Sequence, residues 1–387
     1  MWCPNLGETD LMSRCIDSND SRSANPETTR LMKAARFHGT EEVHVEDVDQ
    51  SPLGDSDVRI DIEVCGICGS DLHEYRAGPH FTPEEPHPRT GAQLPMTMGH
   101  ELSGVVSEVG SAVSGVAVGD RVTVEPNIPC GECRYCEDGD YNLCPDSVAI
   151  GFHTGSGGFA ENVVAPVDHV HTLPDSVSLE DGSLVEPLAV GLHAVRQSGL
   201  QVGDTACVVG CGPIGLTVVR AAVDAGAKRI FVSEPNDARR AVARELGADV
   251  AIDPIDEDAV DVITSATSGG VDVAFEFAGI GPAFNTAVQS TKRGGTITVG
   301  SVSDDPITTD LNDVVTTERT VIGTNCYGFP PQSFRTEFDA IIQSLAAGDI
   351  DTDPFVTGQI ELDDIVEDGF EALLDPETSH VKILVKP

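Results

Sequence analysis

Between Val43 and Val64 short apolar runs are broken by Gly, Pro and Asp turns. Residues Asp57 to Val64 alternate polar and apolar with period two, the pattern of a half-buried strand. The pattern fails from Tyr75 to Thr97, where Pro79, His80, Pro83, Pro86, His87, Pro88 and Pro95 crowd together. That stretch reads as a surface loop, and His80 and His87 as its solvated histidines. Strand-and-turn patterning returns from Glu101 to Val124, and again from Phe159 to Val164 after the glycine turn at Gly155–Gly158. These runs predict a compact, β-barrel-like domain. At Leu184 the apolar spacing becomes helical, and Pro187 suits a first helical turn.

The second half changes character. Apolar runs at Ala206–Val209, Arg229–Glu234, Asp249–Asp253, Val271–Gly279, Gly295–Gly300 and Thr320–Gly323 read as strands with helical segments between them. Alternation of strand and helix implies a parallel, doubly wound sheet, so the fold class is α/β. From about Asn325 the pattern is mixed again and ends in a strand at Val381–Val385, expected to fold back onto the first domain. The expected division is a catalytic domain over 32–187 and 325–387 and a nucleotide-binding domain over 188–324. The site then falls in the cleft between them. Residues 1–31 are polar, lack any period and lack the basic-then-apolar order of a signal peptide. They read as a disordered extension or an over-called start, with Met32 as the natural beginning.

Composition adds one large fact. Among 387 residues, 64 are acidic and 23 basic, a net charge of −41. Such a surface repels nucleic acid and anionic lipid, so neither is an expected partner. No run is long and uncharged enough to span a bilayer. Self-repulsion on this scale is relieved in molar salt, where the Debye length is about 3 Å. A halophilic setting is therefore expected. Disorder is the rival reading of high charge, but the periodic apolar segments oppose it. The eleven cysteines cluster instead of spreading, which favours metal ligation in a reducing compartment, the cytoplasm.

Three constellations carry chemistry. Cys65 and Cys68 are followed by Ser70 and His73, and about thirty residues on by His100 and Glu101. A thiolate, an imidazole and the carboxylates of Glu101 and Glu186 are what a zinc site recruits. Ser70 and His73 stand beside the thiolate to carry a proton. The rival readings of the C-x-x-C pair are a redox dithiol or half of a zinc ribbon. Cys130, Cys133, Cys136 and Cys144 are spaced C-x2-C-x2-C-x7-C and can close a tetrahedral thiolate cage for a structural zinc. Glu132, Glu137, Asp138 and Asp140 surround them, which opposes a nucleic-acid-reading ribbon. An iron–sulfur cluster fits the same spacing.

Third, Gly210, Gly212 and Gly215 form G-x-G-x-x-G directly after an apolar strand, with Pro213 and Ile214 opening a helix. In this context the glycines allow a tight turn, close approach of a pyrophosphate and close helix packing. Glu234 ends the next strand about nineteen residues past Gly215, the place of an acid that grips the adenosine ribose. Its charge favours NAD over NADP, whereas Arg239 and Arg240 lean the other way.

On the motif from Cys65 to His73, Gly99-His100-Glu101, the four-cysteine lobe, Glu186-Pro187 and the glycine fingerprint, the chain from Met32 to Pro387 resembles the zinc-dependent medium-chain dehydrogenase/reductase family. Within it the likeness is strongest to the (R,R)-2,3-butanediol dehydrogenase branch. The stretches that carry this are the long Pro/His segment, Val124–Ile128, Gly139–Cys144 and Glu186–Ser198. The resemblance implies a GroES-like catalytic domain, a Rossmann domain and two zinc ions per chain. It implies that Cys68, His100 and Glu101 or Glu186 hold the catalytic zinc, that Cys65 is not a ligand, and that Ser70 and His73 form a proton relay. It also implies an alcohol or ketone substrate and a homodimer or homotetramer. Sorbitol and threonine dehydrogenases share many of these motifs, as alternatives to a butanediol/acetoin enzyme. A non-catalytic nucleotide-binding zinc protein is the remaining alternative, and a scaffold would need no relay.

Overall fold

The computed structural model describes residues 30–303, 305–328 and 336–387. Residues 1–29, most of the expected extension, lie outside that set. Leu31–Pro387 forms one compact unit.

Strand Asp57–Gly66 is the centre of the first half. It pairs antiparallel with Glu101–Val109, Asn162–Pro166 and the C-terminal strand Lys382–Lys386. Arg121–Val124 and Val170–Thr172 extend the sheet on one side, and Val356–Glu361 on the other. The predicted period of two is realised: Val58, Ile60, Ile62 and Val64 are buried, while Asp61 and Glu63 face water. Val58, Ile60, Leu102, Val106, Val122, Val163, Ile383 and Val385 share one apolar core. Leu384 and Val385 pair with Gly66 and Cys65, so the chain's end lies against the residues that lead into Cys68.

Two details differ from the sequence pattern. The strand expected from Phe159 begins at Asn162, because the Gly158 and Phe159 amides donate instead to the Gly99 and Met98 carbonyls. A helix, Gly69–Ala77, follows Cys68 directly. The following loop is ordered by Glu74, buried in that helix, whose carboxylate accepts the amides of His80, Phe81 and Thr82 at 2.8–3.1 Å. His80 itself is exposed, as a loop histidine should be.

The second sheet is wholly parallel, in the order Val250–Ile252, Arg229–Ser233, Thr205–Val209, Val271–Glu276, Thr291–Val299, Thr320–Gly323. This is the doubly wound Rossmann sheet. Its strand order reverses between Thr205–Val209 and Val271–Glu276, the switch point where such sheets bind ligands. Separate apolar clusters cover its two faces. One packs helices Val185–Ser198 and Pro213–Asp224 on it, the other helices Ala259–Thr267 and Gly281–Ser290.

Candidate metal and cofactor site

Cys68 caps the N-terminus of helix Gly69–Ala77, and its amide donates to the Asp71 carboxylate at 3.0 Å. His100 and Glu101 lie where strand Glu101–Val109 begins. The turn before them requires glycine: Gly99 has φ +92°, and a Cβ there would meet the Phe159 amide nitrogen at 2.8 Å. One ligand atom each from Cys68, His100 and Glu101 falls within 4.8 Å of the others.

The His100 ring is buried, with Nε2 at 3.4 Å from Ser70 Oγ and Nδ1 at 3.6 Å from Asp71 Oδ1. Burial pushes this imidazole's pKa down, but the Asp71 and Cys68 charges outweigh it and hold the pKa well above the ordinary histidine range. Asp71 is fully buried and was not anticipated from the sequence. Its place behind the His100 ring is the one a carboxylate takes when it orients a histidine for metal binding.

Glu101 is fully buried and is gripped by Lys382, whose Nζ lies 2.7 Å from Oε1 and 2.5 Å from Oε2. Lys382 Nζ also donates to the Ile67 carbonyl at 2.9 Å. The sequence does carry one signal for this contact. A lysine inside an apolar terminal strand is a buried cation, and a buried cation needs a partner.

Glu186 stands in the first turn of helix Val185–Ser198 and is almost wholly buried. Burial, with the Glu101 charge adding to it, pushes its carboxyl up to about 7 against the opposing pull of His100 and Lys382. It shares the electrostatic environment of the pocket but stands outside the trio within 4.8 Å. His73 lies one helical turn beyond Ser70, its ring 4.6 Å from that of His80. Cys65 also stands outside the group, fully buried with its thiol 3.7 Å from the Gly66 carbonyl.

The second cluster contains all four lobe cysteines within the same limit. Cys133 and Cys136 sulfurs are 3.5 Å apart, and those of Cys130 and Cys136 are 3.9 Å apart. Four sulfurs at ~2.3 Å from one zinc are about 3.8 Å apart. The lobe therefore has the dimensions of a closed thiolate cage. The Cys133 and Cys130 amides point at the Cys130 and Cys144 sulfurs, each at 3.3 Å, as donors do toward thiolates. Backbone hydrogen bonding from Glu132, the largest influence, lowers the Cys130 thiol to about 7, whereas burial raises that of Cys136 to about 12.

The glycine fingerprint sits at the switch point. Gly210 has φ +89°, and a Cβ on it would strike the Ala278 amide nitrogen at 2.7 Å. A Cβ on Gly215 would strike the Gly210 carbonyl oxygen at 2.0 Å. Gly212, by contrast, faces open space at the N-terminus of helix Pro213–Asp224, where no side chain caps the amides. This combination suits a pyrophosphate seated on the helix end. Glu234, buried, accepts the Cys211 amide at 2.7 Å and the Asn236 amide at 2.9 Å, which fixes its carboxylate beside the glycine loop. Of the two arginines, Arg240 is bound to Asp237, to Asp253 at 3.0 Å and to the Glu234 carbonyl at 2.7 Å. Arg239 keeps a buried Nε with no hydrogen-bond partner among the described residues.

Known proteins agree with both halves. Residues 54–175 match the family model described as the alcohol dehydrogenase GroES-like domain, and residues 213–345 the model described as zinc-binding dehydrogenase. The (R,R)-butanediol dehydrogenase of Bacillus subtilis strain 168 is 44% identical over 358 residues, 92% of this chain and 100% of that protein. The sorbitol dehydrogenase of the same strain is 36% identical, covering 92% and 97%. The crystal structure of 2R,3R-butanediol dehydrogenase from Bacillus subtilis matches with a TM-score of 0.85 and 43% identity, over 92% of this chain and 99% of that one. With two family models matched in tandem and a relative aligned from end to end, this chain belongs to the zinc-dependent medium-chain dehydrogenase/reductase family.

Proposed function

We propose that this protein is an NAD-dependent dehydrogenase of secondary alcohols that interconverts 2,3-butanediol and acetoin. The observation that carries the reading is the trio of Cys68, His100 and Glu101 in the same compact unit as an uncapped glycine-loop helix. Its similarity to butanediol dehydrogenases chooses the substrate.

The donor set of thiol, imidazole and carboxylate fits zinc. Cys68, His100 and either Glu101 or Glu186 hold the catalytic ion, and Cys130, Cys133, Cys136 and Cys144 hold a structural one. When bound, zinc supplies a Lewis acid that lowers the pKa of the substrate hydroxyl, and the nicotinamide supplies the hydride acceptor. Ser70 Oγ would accept the hydroxyl proton as it gives up its own, and His73, a turn away at the loop, would deliver a proton to solvent. Asp71 fixes the orientation of the His100 ring. Where Glu101 is the ligand, Glu186, buried in the first turn of its helix, stands to accept a hydrogen bond from the second hydroxyl of a vicinal diol. Ring-flanking Phe152, 5.0 Å from His100, keeps water from that side.

Gly210, Gly212, Pro213, Ile214 and Gly215 cradle the pyrophosphate. Glu234 grips the adenosine ribose and repels a 2′-phosphate, and the commitment of Arg240 elsewhere leaves only Arg239 to oppose it. This gives NAD the preference. Residues 32–187 and 325–387 serve as the catalytic domain and 188–324 as the NAD-binding domain. We place the protein in a salt-rich cytoplasm as a homodimer or homotetramer, with no nucleic-acid or membrane partner. No helix among the described residues is long and apolar enough to cross a membrane.

The test is NAD reduction in multimolar KCl with stereoisomeric butanediols, sorbitol, glucose and threonine, and NADH oxidation with acetoin. The highest kcat/KM is expected for a butanediol stereoisomer. A preference for sorbitol or threonine would move the protein to another branch of the family, and no turnover on any alcohol would refute the reading.

A further inference from the structure

A second buried carboxylate stands at the switch point, outside the fingerprint. Glu276 is the last residue of strand Val271–Glu276 and is fully buried. It pairs in register with Val209, which leads into the glycine loop, and with Val299 on the other side. Its Oε1 accepts the amides of Ala278 and Gly279, each at 2.8 Å, and its Oε2 accepts the Ser301 hydroxyl. No lysine or arginine pairs with it among the described residues.

These bonds join the loops that follow two adjacent strands. They also set the floor of the cofactor cleft, because the turn held by Glu276 is the one that Gly210 packs against. The Phe277 amide donates to the Val209 carbonyl at 2.9 Å, and the Gly210 α-carbon leaves no room for a Cβ beside Ala278. Three hydrogen bonds satisfy the carboxylate oxygens, but a buried charge without a cation remains costly. A glutamine could accept the same two amides. The charge itself therefore asks for a role.

The dinucleotide reading above supplies one, and this inference rests on it. Glu234 fixes the adenosine end over the strands on one side of the switch point. The nicotinamide end then falls over the side that begins with Val271–Glu276. Oxidised nicotinamide carries a positive charge, and the reduced ring carries none. We propose that Glu276 is a positioning residue that both holds the 277–279 turn against the glycine loop and, by its fixed negative charge, favours the oxidised cofactor over the reduced one. The charge acts from outside the trio of Cys68, His100 and Glu101.

The experiment uses the zinc-loaded full chain in high salt. NADH binding is read from its fluorescence, and NAD binding by competition. In Glu276→Gln the NAD dissociation constant is expected to rise roughly five- to twentyfold, the scale of one unit charge acting across about 10–17 Å at an effective dielectric of about 20, with the NADH constant changed less than twofold. Glu276→Asp keeps the charge but shortens the reach. It is expected to weaken both forms while preserving their ratio. Equal weakening of the two forms in Glu276→Gln, or no change in either, overturns the charge bias. Unchanged affinities in Glu276→Asp overturn the positioning, and a changed NAD-to-NADH ratio in it overturns the charge bias, so this variant tests both halves if Glu276→Gln does not fold. Wild-type protein that binds neither NAD nor NADH would refute the dinucleotide reading itself, which is a separate outcome.

Discussion

Lys382 and Glu101 are 281 positions apart in the chain, and Lys382 Nζ lies 2.7 Å and 2.5 Å from the two Glu101 carboxylate oxygens. Both side chains are essentially buried. The C-terminal strand thus delivers a cation into the wall of the metal pocket. Removing one partner leaves the other as an uncompensated buried charge. Lys382→Met is expected to lower stability by about 3–5 kcal/mol, and the double variant Lys382→Met/Glu101→Gln to recover much of that loss. Denaturation midpoints of the metal-depleted chains check both. A single variant that unfolds like wild type would show that the pair contributes nothing.

The two cysteine clusters are expected to fail differently. Cys68→Ala should leave one of two zinc ions per chain, abolish turnover and change the melting temperature little, because the pocket lies on an otherwise intact barrel. Cys133→Ala should also lose one zinc ion but lower the melting temperature first, since the cage organises its lobe through thiolate–amide contacts. Zinc content by mass spectrometry, read beside a thermal scan, separates the two. A fully stable, inactive Cys133→Ala protein would contradict this division.

Stability should fall with rising pH through His171. Burial lowers its pKa, but Glu125 at 3.2 Å and Asp339 at 3.3 Å raise it more, so the net shift is upward from 6.5. The folded state then binds the proton more tightly than the unfolded state. The stabilisation is complete below pH 6.5 and is lost as pH rises through the raised value. His171→Gln should flatten this part of the melting-temperature profile. A wild-type profile and a variant profile of equal slope above pH 6.5 would rule the pair out as its source.

Glu234→Ala removes the acceptor of the Cys211 and Asn236 amides and the charge beside the glycine loop. The ratio of kcat/KM for NAD to that for NADP is expected to fall on the order of tenfold or more, the worth of a charge-assisted hydrogen bond. Arg239, whose Nε has no hydrogen-bond partner among the described residues, is then the group left to receive a 2′-phosphate. An unchanged ratio would mean that cofactor choice lies elsewhere.

The net charge of −41 makes salt a variable of the fold. Melting temperature should rise steeply between dilute buffer and molar KCl, where screening shortens the reach of self-repulsion to about 3 Å. A flat response would remove the halophilic reading.

Local patterns in the chain specified the parts whose chemistry is local. The period-two strand Asp57–Val64, the four cysteines within one short lobe and the glycine fingerprint between a strand and a helix each satisfy their own geometry within a few residues. Backbone sterics and residue spacing act at that range, so the sequence alone determined the two half-folds, the four-cysteine cluster and the glycine turn. It joined Cys68 to His100 through the chemistry of a zinc donor set and through resemblance, and it left Glu101 and Glu186 unresolved. Tertiary structure decided that Glu101 is held by Lys382, that Asp71 stands behind His100, and that Glu276 ties the Ala278 turn to Ser301. No periodicity encodes those contacts. They arise because burial forces each charged group to find a partner, and which partner is near depends on strands and loops that meet only when the whole chain has packed.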